Sequence, residues 1–259
     1  MSTALLRAES ISVRFGGLLA VDNASLQVGS GEICGLIGPN GAGKTTFFNA
    51  VSGLVPITSG EIELDGTRIN TLAAHVRAKL GLRRTFQSVQ LAQELTVLEN
   101  VAIGLHTQIR ENIFTTLFEP RERKLADYAA QEKIYEVLEE LHVGDLALRP
   151  VKTLSFAQQR YVEIARALAP APKVLMLDEP AAGLTPAEIV NLDRLLVRLA
   201  RKNGIAILLV EHVMDLVLNV CDRVFVFESG RLIASGCPAE IAGHPRVRAA
   251  YLGDEYAEG

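Results

Sequence analysis

Apolar residues follow two rhythms along this chain. From the amino end to about residue 35 they alternate in the manner of strands, as in Ile11, Val13 and Phe15, followed by the apolar stretch Leu18 to Val21, which predicts strands with one buried face. Gly60-Glu61-Ile62-Glu63-Leu64-Asp65-Gly66 repeats the alternation and ends in an Asp-Gly pair, a strong signal for a tight hairpin. These segments predict an antiparallel sheet. Three other runs, Glu32 to Ile37, Lys173 to Leu177 and Ile205 to Val210, are short and, behind the leading Glu32 and Lys173, apolar, as expected of strands covered on both faces in a parallel sheet. Between about Gln90 and Leu148 the spacing becomes helical, with Leu98, Val101 and Leu105 and then Ile134, Val137, Leu138 and Leu141 three and four residues apart. Ile189, Leu192, Leu195, Leu196 and Leu199 line one face of a later helix that Gly204 closes. Helices alternating with buried strands predict an α/β protein with a parallel core.

Candidate chemistry sits at the ends of the buried strands. Gly38-Pro39-Asn40-Gly41-Ala42-Gly43-Lys44-Thr45 fills every fixed position of the phosphate-binding pattern G-x-x-x-x-G-K-[ST], between the strand 32–37 and a helix opening at Lys44. Glycines there let successive N–H groups turn toward phosphate oxygens, Lys44 neutralises the β- and γ-phosphates, and the Thr45 hydroxyl can hold Mg²⁺. Gly38, Asn40, Gly41, Ala42, Gly43, Lys44, Thr45 and Thr46 are thus the expected contacts of a nucleoside triphosphate. The strand from Lys173 ends in Asp178-Glu179-Pro180. Carboxyl ends of parallel strands face the nucleotide in such folds, so Asp178 is placed to reach the Mg²⁺ shell and Glu179 to polarise a water in line with the γ-phosphate. Leu154-Ser155-Phe156-Ala157-Gln158 reads first as a capping box, Ser155 with Gln158, and a capped helix start is also an anion site.

The order of glycine loop, Gln87, Leu-Ser-x-x-Gln, Leu-Asp-Glu-Pro and His212 resembles the ATPase subunit of an ATP-binding-cassette (ABC) transporter over essentially the whole chain. The resemblance implies a P-loop, RecA-like parallel core with an antiparallel β subdomain (1–88 and 160–242), a helical signature subdomain (89–159) and a tail (243–259). It implies ATP and Mg²⁺ as ligands. Gln87 resembles the glutamine that touches Mg²⁺ and the attacking water, His212 the switch histidine at the γ-phosphate, and Phe15 the aromatic that stacks on adenine. Residue by residue, however, a lone histidine after a strand reads as surface, and one aromatic on an alternating strand reads as core. Ser155, Ala157 and Gln158 correspond to the signature that covers the ATP of a second subunit. The family usually has two glycines where this chain has Phe156 and Ala157, and a methyl at 157 narrows the approach of that backbone to a phosphate. Where the family has Ser-x-Leu-Asp at its dimer contact, Ala181 to Pro186 carries Thr185 in place of the aspartate.

The run Gly81 to Gln87, the run Leu95 to Val101 and the end His244 to Gly253 resemble more narrowly the longer of the two ATPases of branched-chain (hydrophobic) amino-acid importers, with Asn112 to Lys124 where that type is extended. Taken by itself, the charged stretch 121–124 is a solvated face, and Ile113 to Phe118 is either core or a dock for a membrane subunit. The implied partners are a second ABC ATPase, in a heterodimer or homodimer, two integral membrane permeases and an extracytoplasmic solute-binding protein. Related importers of urea, amides or small carboxylates stay open, as do a non-transport ABC ATPase and a non-hydrolysing binding module.

Composition narrows these readings. At 259 residues and 49% hydrophobic the chain can bury a full core, each motif occurs once, and the net charge of −4 speaks against a general nucleic-acid binder. No apolar run approaches the roughly 18 residues of a spanning helix. The first residues lack a signal-peptide pattern, which predicts the cytoplasmic face of the inner (plasma) membrane and peripheral attachment. Cys34, Cys221 and Cys237, odd in number and without metal spacing, are expected to be free thiols.

Overall fold

A computed structural model of the protein describes residues 4–105, 120–245 and 247, with the backbone alone for 120–129. The apolar patch 113–118 and the tail from 248 onward lie outside the described residues, as do the side chains of 121–124.

The alternating segments form β1 (Ala4–Phe15), β2 (Leu18–Gly29), β4 (Ser59–Leu64) and the two-residue β5 (Thr67–Arg68), which make an antiparallel sheet in the order β2-β1-β4-β5. In β1 the buried residues are Leu6 and Ala8, then Ile11 and Val13. The switch from even to odd positions coincides with a register shift between Ala8 and Ile11 and a left-handed Ser10 (φ 50), so a bulge keeps the apolar face inward. Asp65 (φ 48) and Gly66 (φ 73) turn β4 into β5 as the Asp-Gly pair predicts.

The second sheet runs β10-β9-β3-β8-β7-β6, where β3 is Ile33–Ile37, β6 Leu82–Arg84, β7 Val174–Asp178, β8 Ala206–Val210, β9 Arg223–Glu228 and β10 Arg231–Gly236. Only β10 is antiparallel to its neighbour. All residues of β3, β7 and β8 are buried, which is why their sequences, apart from Asp178 at the end of β7, are continuously apolar rather than alternating. Helix α1 (Lys44–Ser52) follows β3, and α2 (Ala74–Lys79) precedes β6. The buried Arg77 of α2 donates to the Ala50 and Val51 carbonyls at the end of α1 at 2.9 and 2.7 Å, capping groups that the helix itself leaves unpaired.

Two compact units emerge, one joining 1–84 to 173–259 and the other spanning 85–172. The second holds α3 (Val97–Leu105), α4 (Pro120–Glu140) and α5 (Phe156–Leu168), with α3 packed on both others. Its boundaries differ from the expected 89–159, because residues 85–88 and the whole of α5 group with the helices. The cause is packing: Gly104 of α3 lies so close to the Arg166 carbonyl of α5 that a Cβ would not fit. In the first unit β7, α6 (Pro186–Asn203), β8, α7 (Met214–Val220) and β9 succeed one another, and α8 (Pro238–Ala242) follows β10. Gly204, in the left-handed conformation (φ 68), ends α6 as the sequence predicts.

Candidate functional site

The parallel register brings the motifs of the first unit to one edge. Asp178, the last residue of β7, lies opposite Val210 of β8, and Val210 lies opposite Leu36 of β3. The chain leaving β3 therefore becomes the glycine loop beside the Asp178-Glu179 pair from β7 and the Glu211-His212 pair from β8.

Backbone sterics fix the loop. Gly38 has φ 150, and a side chain there would run into the Phe227 carbonyl; Gly43 has φ 101, and a Cβ would sit 2.6 Å from the Ala20 carbonyl oxygen. Gly43 is also the N-cap of α1, and it supplies no side-chain oxygen to the first turn, which carries no acidic residue either. The N–H groups at this helix start thus keep their positive end for an outside anion. The buried Lys44 folds back, its Nζ donating to the carbonyls of Gly38 at 2.6 Å and Pro39 at 2.9 Å. Burial lowers its pKa, and the charges of Glu179 and Asp178 oppose that shift. Asn40, Gly41 and Thr45 are exposed, Thr46 half-buried and Ala42 buried.

Asp178 is buried, and its Oδ2 accepts from Arg84 at 2.8 Å. The same guanidinium donates to Asn49 Oδ1 and Ser52 Oγ of α1 and lies 4.8 Å from the Phe48 ring centre. Arg84 was not among the residues singled out in the sequence for chemistry. Its partners lie as far as 94 residues away, so no local pattern reports them. Glu179 has a left-handed backbone (φ 48), uncommon for a residue with a side chain and a form of stored strain that gathers at functional sites. Its Oε1 stands 3.3 Å from His212 Nε2, and both side chains remain partly open to solvent. His212 is therefore no isolated surface histidine. Phe15 is 50% exposed at the end of β1, so it has left the core face that its alternation suggested.

Gln87, Ser155, Ala157 and Gln158 belong to the second unit. Ser155 caps α5, its Oγ accepting from the Gln158 N–H at 3.2 Å while Gln158 Oε1 accepts from the Ser155 N–H at 3.0 Å. Because the serine oxygen accepts, its own proton is still able to donate outward. Ala157 is only 7% exposed, so the methyl expected to narrow the approach to this backbone points into the protein. Phe156 stays half-exposed, its ring 5.6 Å from the Arg160 guanidinium. Arg160, 1% exposed, pairs with Glu163 at 2.9 Å and donates to the Phe86 carbonyl at 3.2 Å and the Gln87 carbonyl at 3.1 Å. Burial raises the pKa of Glu163, with the Arg160 charge opposing. The Gln87 loop is thus fastened to the signature helix through one buried arginine, another contact that sequence reading missed.

Thr185 has a local explanation. Its side chain accepts from the Glu188 N–H and Glu188 reaches back to the Thr185 N–H at 2.8 Å, with Pro186 at the first helical position of α6. The pattern Thr-Pro-x-Glu announces such a capping box and was legible in the sequence. Cys34 and Cys221 are buried free thiols whose pKa burial raises, to about 12 for Cys221.

Comparison with known proteins agrees with this geometry. Residues 21–182 match the model of the ABC transporter family, and 231–257 match that of the branched-chain amino acid ATP-binding cassette transporter. The high-affinity branched-chain amino acid transport ATP-binding protein LivG of Salmonella typhimurium is 42% identical over 98% of this chain and 100% of its own length. The lipopolysaccharide export system ATP-binding protein LptB of Escherichia coli is 38% identical over 98% and 99%. Among solved structures, the ADP conformation of MJ1267, an ATP-binding cassette of an ABC transporter, superposes with a TM-score of 0.85 at 32% identity, over 98% of this chain and 100% of that one. With a phosphate loop, an Asp-Glu strand end and a histidine set on one sheet edge, and with relatives matched end to end, this chain belongs to the ATP-binding-cassette ATPases of the ABC transporter family.

Proposed function

We propose that the chain is the ATP-hydrolysing subunit of an importer of branched-chain or other hydrophobic amino acids, attached to permeases at the cytoplasmic face of the membrane. The observation that carries this reading is the match of residues 231–257 to the branched-chain amino acid ATP-binding cassette model on a chain whose residues 21–182 match the ABC transporter family. No helix among the described residues is long and apolar enough to cross a membrane.

In this reading the open N-terminus of α1 and Lys44 bind the β- and γ-phosphates, Phe15 stacks on adenine, and Glu179 orients the attacking water with His212 beside it. Thr45, Asp178 and Gln87 would hold Mg²⁺. The donors fit: a hydroxyl, a carboxylate and an amide oxygen, completed by phosphate oxygens, suit this hard ion. Mg²⁺ would neutralise charge on the leaving phosphates. Ser155, the backbone at Ala157, and Gln158 would face the ATP of a second ATPase subunit, and closure on ATP would move the permeases.

Purification of the tagged chain from native membranes, with identification of what accompanies it, tests the proposal. Two permeases, a second ATPase and a binding protein that takes up aliphatic amino acids are expected. A binding protein selective for urea, amides or carboxylates would overturn the solute, and the absence of any membrane subunit would overturn the transport role.

A further inference from the structure

Glu211 follows β8 directly and is 1% exposed, yet neither the glycine loop nor the metal set uses it. Its two oxygens serve two different segments. Oε1 accepts from the Ala181 N–H at 2.7 Å, and Oε2 accepts from the N–H groups of His212 at 2.9 Å and Val213 at 3.2 Å. Ala181 stands two residues after Glu179, in the turn that leads to the Thr185 cap, and His212 Nε2 faces Glu179 Oε1 at 3.3 Å. One buried carboxylate therefore spans the backbones on both sides of that pair. Burial pushes its pKa up, and the three N–H donors hold it down.

Only an ionised carboxylate offers acceptors at both ends without a competing donor. A glutamine of the same shape would aim its NH₂ at an N–H group on one side or the other, so the chemistry of the tie selects the charged residue despite the cost of burying it.

We propose that Glu211 is a positioning residue that locks His212 to the turn after Glu179, so that the water-activating geometry exists only while both segments are held by its two oxygens. This rests on the reading of Glu179 and His212 as the groups that act at the γ-phosphate.

The test uses the full chain, with steady-state turnover of MgATP and direct nucleotide binding measured for Glu211→Gln, His212→Ala and the double variant. Glu211→Gln should lower kcat about tenfold or more, as loss of an orienting contact does, with KM and ATP affinity unchanged. In the His212→Ala background the same change should add little, because its effect passes through the histidine. Glu211→Asp keeps the charge but shortens the reach, and should behave as Glu211→Gln. Parental kcat in either variant, or losses that multiply in the double variant, would overturn the proposal, and so would a loss of ATP affinity matching the loss of turnover. Parental turnover by His212→Ala would instead remove the underlying reading of the histidine, and this proposal with it.

Discussion

Helices α1 and α5 both begin where an anion would be welcome, and they treat that position in opposite ways. At α1 the N-cap is Gly43, with no side-chain cap and no acidic residue in the first turn, and its lysine rests on carbonyls of its own loop. At α5 one first-turn donor, the Gln158 N–H, is met by Ser155 Oγ, and Gln158 in turn accepts from the Ser155 N–H in a reciprocal box. A helix that supplies its own cap is stable without a ligand, whereas one that omits it keeps its donors for whatever binds. On this contrast we propose α1 as the primary phosphate site, with α5 as the weaker one.

The largest effect expected from breaking the contrast is at α1. Lys44→Ala should weaken ATP binding at least about a hundredfold, since charge-assisted contacts to phosphate worth roughly 3 kcal/mol are lost. Glu179→Gln should bind ATP as the parent does and turn over about 10²–10⁴ times more slowly, because only the group acting on water changes. Equilibrium nucleotide binding set against phosphate release separates the two; parental turnover by Glu179→Gln would exclude it as the base. Next in size is Arg84→Met, which strips Asp178 of its buried counter-ion. With Lys44 nearby as a remaining cation, the loss should fall at the lower end of the about 3–5 kcal/mol of a broken buried pair. Urea unfolding of the free chain measures it, and added MgATP should recover part. Smallest are the caps: Ser155→Ala and Thr185→Ala should each cost about 1 kcal/mol in the same assay. Only Ser155→Ala should also slow ATP turnover in the assembled complex, and equal turnover by both would reduce Ser155 to a cap alone.

Much of this was legible in the sequence, for physical reasons that can be named. The glycine loop, the Asp178-Glu179 strand end, the hairpin at Asp65-Gly66 and the capping box at Ser155 are each written in contiguous residues, and the relatives confirm the ABC ATPase fold they suggested. What escaped was written in distant pairs: Arg84 with Asp178, Arg160 with the carbonyls of Phe86 and Gln87, and Glu211 with Ala181. A buried charge cannot be told from an exposed one until the chain has folded around it. The unit boundary escaped for a similar reason, because the close approach of Gly104 to Arg166 that carries α5 into the helical unit leaves no periodic trace. Thr185 was a different kind of miss, since measuring it against an absent aspartate concealed the box that its own neighbours spell out.

The glycine loop is also held from outside its own motif. The Gly230 N–H in the turn between β9 and β10 donates to the Ala42 carbonyl at 2.9 Å, the Gly230 carbonyl accepts from Asp22 N–H at 2.8 Å, and Gly43 lies against Ala20 of β2. The loop is therefore ordered when the two sheets assemble, and the entropy of fixing its dihedrals is surrendered during folding rather than at each encounter with nucleotide. Affinity measured on this chain should consequently be sensitive to residues of the β9–β10 turn that never touch the ligand, whose loosening would transfer that ordering cost back to every binding event.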